Sequence, residues 1–201
     1  MEIFPLVLLM VVGVYLLKKS ERHRRIVLLG THLGSYQIEK LMETLTEGYM
    51  RALAEKDPER RDQIWRHLDT SETQLSGQFN KFCAEFAKLD ADDTRVSTLG
   101  LAIPYAARLF PNATFDLRQA LAIHAQGLAQ AASNELQRSS RDKAFTLSAE
   151  LFLMQHTCHW FCNSKAVASA RLMARHQATH AQVLAAVAPD TRAAFQALTG
   201  S

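Results

Sequence analysis

Between Ser139 and Ala188 the chain contains neither Gly nor Pro. Few constraints on a fold are stronger, because those two residues punctuate turns and break regular elements. As one straight helix the stretch would reach about 70 Å, too long for a domain of this size. A break is therefore expected near Asn163-Ser164, whose short polar side chains favour caps over helix interiors. The whole chain shares this bias, with 8 Gly and 5 Pro in 201 residues. The length favours a single globular unit, and the composition excludes disorder, with 48% hydrophobic and 21% charged residues. The fold class read from these features is all-α: an antiparallel bundle of about five to six helices.

Helical periodicity places the elements. Over 35–55, residues Ile38, Leu41, Met42, Leu45, Tyr49 and Leu53 share one face. Asp57-Pro58 ends that segment and opens the next, with Asp57 as the N-cap and Pro58 in the first turn. Over 58–89, residues from Trp65 to Leu89 recur at spacings of 3 and 4 through Leu68, Glu72, Leu75, Phe79, Phe82 and Phe86. This is a coiled-coil-like seam, short enough to serve packing within a bundle. Residues 95–113 are irregular around Pro104 and Pro111 and read as a short packed helix. Thr114 is the expected cap of a helix over 115–137, Ser139 caps another with Asp142 three residues on, and Pro189 starts the last.

The opposite end of the chain carries a second signal. Residues 3–17 hold no charge, and eleven of the fifteen are Leu, Ile, Val or Phe. The segment lacks the basic leader and small-residue site of a cleaved signal. It is apolar all round, unlike an in-plane amphipathic helix. The expectation is an N-terminal single transmembrane helix over 1–17, a basic juxtamembrane linker over 18–34 and a cytoplasmic helical domain over 35–201. Lys18, Lys19, Arg22, Arg24 and Arg25 follow the apolar run directly, so the positive-inside rule orients the chain with its N-terminus outside, as in a bacterial inner membrane. The same cations are the expected contact to anionic lipid headgroups.

Net charge is +3, but residues 18–25 alone hold five Lys/Arg against one Glu. The remainder carries 18 basic and 19 acidic residues (23 less 5, and 20 less 1), which argues against nucleic acid as a partner. Residues 26–95 carry nine basic and thirteen acidic residues and residues 96–201 nine and five, so the two halves have opposite sign.

Chemistry-bearing residues are sparse. His156, Cys158, His159 and Cys162 form the densest reactive cluster and the candidate metal or haem site. On a helix, Cys158 and Cys162 share one face and the two His another, so further ligands would have to come from elsewhere, with Cys83 and His124 as donors. Cys158 and Cys162, one turn apart, are too far separated to bridge within a helix. His176 and His180 are also four apart, but no Glu follows His176 as a zinc-protease motif requires. Glu72 and His124 each interrupt an apolar seam and are candidate buried polar residues, with His124 as the expected partner of Glu72. There is no phosphate-binding Gly loop, nucleophile elbow or Glu-x-x-His repeat. The function read from the sequence is a membrane-tethered, non-enzymatic interaction or scaffold protein, with no cofactor and with a protein partner or a second copy. The alternative is a membrane-bound metal- or haem-binding bundle.

Overall fold

A computed structural model describes residues 3–100 and 102–200. Met1 and Glu2, at the start of the expected 1–17 anchor, lie outside them. Among the described residues there are ten helices and one short two-stranded pairing. The helices are α1 (Ile3–Leu33), α2 (Ile38–Ala54), α3 (Pro58–Phe86), α4 (Ala91–Thr94), α5 (Ala106–Leu109), α6 (Leu117–Ser133), α7 (Ser140–Cys162), α8 (Lys165–His176), α9 (His180–Ala186) and α10 (Pro189–Thr199). The all-helical reading holds, with more and shorter helices than expected.

α7 is the spine. α6, α8 and α9 pack along it, and α3 joins the far side of α6 to α2. Buried residues occur all round α7, from Ala144 and Leu147 through Leu151, Met154 and Thr157 to Trp160 and Phe161. A helix that is apolar on every side belongs in the centre of a bundle. The seam of α3 is its buried face: Leu75, Phe79, Phe82 and Phe86 are at most 1% exposed. Tilted ring pairs run along it, Phe79 to Phe82 at 5.7 Å and Phe82 to Phe86 at 5.5 Å.

Local capping chemistry sets the boundaries. The Asp57 carboxylate accepts from the Glu59 N–H at 2.9 Å at the start of α3. The break at Asn163-Ser164 is present: α7 ends at Cys162 and Ser164 caps α8. A second break was not read from the sequence. Gln177 adopts a left-handed conformation (φ 51°), and Thr179 and Gln182 form a capping box that starts α9.

Three expectations are corrected. Residues 95–113 do not form a single short helix. Arg95–Ser97 (β1) pairs antiparallel with Thr114–Asp116 (β2), Val96 opposite Phe115. Thr114 therefore lies in a strand, and Asp116 caps α6 through the Arg118 N–H at 2.9 Å. The anchor and linker are not separate elements, because α1 runs unbroken through both.

The third correction concerns the membrane. Among the described residues no helix is long and apolar enough to cross one. The uncharged run amounts to about 22 Å of helix against a hydrocarbon core of about 30 Å. α1 continues directly into Lys18, Lys19, Glu21 and Arg22. The single-pass topology, and the localisation derived from it, are not supported. α1 instead has two halves. Its C-terminal half packs on α7 and α3, with Leu29 6% exposed and His32 edge-on to Phe86 at 5.7 Å. Its N-terminal half projects from the bundle as an arm.

Candidate functional site

The reactive cluster at the end of α7 is dispersed by the geometry of its own helix. His156 is buried, its Nε2 3.1 Å from the Ser169 hydroxyl and its ring 4.4 Å from that of His180. Desolvation, aided by His180 and Lys165, pushes its pKa down to about 3, so the ring is neutral. His159 lines the same cleft of about 370 Å³ as His156, between α7 and α8, and accepts from the Arg171 guanidinium at 3.2 Å. Partial burial and then Arg171 hold its pKa down. None of the three cysteines is joined in a disulfide. Burial pushes Cys162 up to about 11 and Cys83 to about 12, and Cys158 further still. All three are thiols rather than thiolates at neutral pH. Among the described residues no three His, Cys, Asp or Glu side chains gather around one point. His156, Cys158, His159 and Cys162 therefore supply no ready-made ligand set, and neither Cys83 nor His124 completes one. His176 and His180 also part: His176 stacks on Phe152 at 3.8 Å and bonds Gln155, while His180 faces His156.

The polar residues in the seams are buried but do not meet. Glu72 is 2% exposed, and its carboxylate accepts from the Tyr49 hydroxyl at 2.6 Å and meets the Lys143 ammonium at 2.5 Å. Lys143 also reaches Asp69 at 2.7 Å. Burial of Tyr49, then the Glu72 charge, pushes its phenol far up, so it donates throughout the physiological range. The expected Glu72–His124 contact is absent. His124 lies 2.9 Å from the Thr157 hydroxyl, against Phe195. Full burial takes its pKa to about 3. One buried acid was missed in the sequence reading: Glu150, fully enclosed on α7, accepts from the Ala188 N–H at 2.9 Å where α10 begins. Desolvation raises its pKa to about 7 against the opposing hydrogen bonds. A lone carboxylate in the apolar run Leu147–Met154 was the available signal. These groups tie helices together.

The basic cluster is more organised than a flexible linker. Arg24 pairs with Asp93 at 2.8 Å on the surface. Arg25 is largely enclosed: it pairs with Glu21 at 2.9 Å, donates to the Phe161 carbonyl at 2.9 Å and lies over the Phe161 ring. Lys18, Lys19 and Arg22 form no ion pair among the described residues. They border a cleft of about 420 Å³ between α1, the loop after β1 and the start of α8.

Beyond the cleft lies the arm. Twelve large apolar side chains from Phe4 to Leu17 are each between 46% and 76% exposed. They occupy every side of the helix, and no charged residue interrupts them. No family model, curated protein or solved structure matches the chain.

Proposed function

We propose that this chain is a helical interaction protein, without catalytic chemistry of its own, that associates with further copies of itself through the arm of α1. The single observation carrying this reading is the arm: an apolar helix, uncovered on all sides, mounted on a bundle whose other helices bury their apolar faces. An apolar patch of this extent on a folded domain marks a contact surface. The twelve exposed side chains are spread round the whole helix, so several neighbours are needed to cover them.

A second copy is the occupant that suits the arm best. A single groove would cover one stripe, whereas neighbouring arms cover several sides at once and come at equal stoichiometry. Gly13, with nothing within 4 Å of where its Cβ would stand, lets a second helix approach closely. Antiparallel packing of neighbouring arms keeps their Lys18-Lys19 pairs apart and sets the bundles at opposite ends, whereas parallel packing crowds both. The bundle's inert thiols and neutral buried imidazoles support an interaction role over a catalytic one. Among the described residues no third ligand joins the His156–His180 pair, which leaves the metal or haem reading with less support.

The test is a pair of charges on the arm. Leu8→Glu with Val12→Glu alters only exposed positions. The variant should lose self-association while its far-UV spectrum and melt stay those of the parent. A variant that associates as strongly as the parent would remove the arm from the interface and defeat the proposal.

A further inference from the structure

We propose that the cleft at the root of the arm binds a small amphipathic anion, with its head on Lys18, Lys19 and Arg22 and its apolar tail along Leu99, Ile103 and Val167. The volume, about 420 Å³, falls within the ~300–1,000 Å³ of small-molecule sites. Its walls divide by chemistry. One side is the cationic turn of α1; the other is the loop after β1 with the first turn of α8.

Three features show that the cleft is built and that its charge is unspent. First, its walls are held. The Trp160 indole, in the lining, donates to the Ser97 carbonyl at 2.9 Å, and the Lys165 ammonium lies 4.9 Å from its ring centre. Second, the loop is latched to α1. Tyr105 adopts a left-handed backbone (φ 54°), unusual for a bulky residue, and its N–H donates to Glu21 Oε2 at 2.7 Å. Third, among the described residues Glu21 is the one acid in the lining, and both its oxygens are taken. Oε2 holds Tyr105, and Oε1 holds Arg25 at 2.9 Å, so that pair is neutral. Lys18, Lys19 and Arg22 are left as a net charge of three facing a partly apolar space. An anionic head satisfies the cations, and the apolar wall rewards a tail that a bare phosphate or a sugar lacks. Phosphate and carboxylate heads share this chemistry.

The probe is octyl phosphate, titrated below its self-association threshold into the full chain carrying Trp65→Phe, so that Trp160 alone reports. A saturable, single-site change in fluorescence is expected. Neutralising the rim with Lys18→Gln, Lys19→Gln and Arg22→Gln should weaken binding by about tenfold or more, and added salt should do likewise. Inorganic phosphate and octyl glucoside should each bind at least about tenfold more weakly, because each lacks one half of the recognition. Octanoate tests the head, and binding within about tenfold of octyl phosphate is expected. The Leu8→Glu, Val12→Glu variant should bind octyl phosphate unchanged, which separates this site from the arm. The proposal falls if the fluorescence does not saturate, if the rim variant binds as tightly as the parent, or if either half-probe or octyltrimethylammonium matches octyl phosphate. It falls equally if the arm variant loses binding, since the amphiphile would then be coating the arm.

Discussion

Replacing Lys143 by Met should destabilise the protein far more than the loss of a surface charge, and a second substitution should reverse the loss. Glu72 is 2% exposed, with two partners: the Tyr49 hydroxyl at 2.6 Å and the Lys143 ammonium at 2.5 Å. Removing the ammonium leaves a buried carboxylate with one neutral donor. Breaking a buried ion pair from one side costs about 3–5 kcal/mol. The lost contact to Asp69, whose side chain is 61% exposed, adds at most about 1 kcal/mol. Against a total stability of about 5–15 kcal/mol, such a loss shifts the urea midpoint clearly. Pairing Lys143→Met with Glu72→Leu removes the stranded charge, and the double variant should return to within about 1–2 kcal/mol of the parent or exceed it. The assay is urea unfolding of the parent, both single variants and the double variant, followed by far-UV circular dichroism. A Lys143→Met cost under about 1 kcal/mol, or a double variant equal to the sum of the singles, would refute the reasoning.

Three further outcomes follow from the buried groups. Glu150 has its pKa raised from 4.5 to about 7, so the folded state holds a proton that the unfolded chain releases, and stability falls as pH rises through that window. Glu150→Gln should therefore stabilise at pH 8 by up to about 3.5 kcal/mol (2.5 pH units at ~1.4 kcal/mol each) and change nothing below pH 4.5; equal effects at both would contradict the assignment. His124 and His156 have theirs lowered from 6.5 to about 3, so the unfolded chain takes up the extra protons and stability is lost as pH falls below 6.5. Between pH 6.5 and 4.5 Glu150 opposes this loss, and in Glu150→Gln the decline should steepen by about 1.4 kcal/mol per pH unit; melts that are flat across that range would sink the account. Phe79→Ala and Phe82→Ala each empty a fully buried site and should cost about 3–5 kcal/mol, so a double variant with an unchanged melt would mean that the seam is not core.

Legibility followed the range of the forces. Where a side chain caps its own helix, as Asp57, Ser139 and Ser164 do, the sequence marks the boundary within a residue or two. The seam of α3 was readable for the same reason, because its period is local. Glu72 announced itself as a charge within that seam. Its partner did not, because Lys143 sits in the first turn of α7, where a cation looks like ordinary solvated surface. The β1–β2 pairing failed in the reading because two three-residue strands exist only through each other across the intervening loop, and neither has periodicity to display. The Gln177 break lacked a Gly, so its left-handed turn was invisible. α1 was misread because the 3–17 run was weighed by its composition, although about 22 Å of apolar helix falls short of a ~30 Å core and leads straight into Lys18 and Lys19. The cleft needed three segments far apart in the chain, and Glu21, half of its latch, read as a minor offset to the basic run.

Sedimentation equilibrium of the full chain, without detergent and over a range of concentrations, tests the central claim most directly. The protomer is 22.5 kDa. Self-association through antiparallel arms predicts a mass of at least twice that, rising with concentration and returning to one protomer in Leu8→Glu, Val12→Glu. A parent that sediments as one protomer at every concentration would contradict the account.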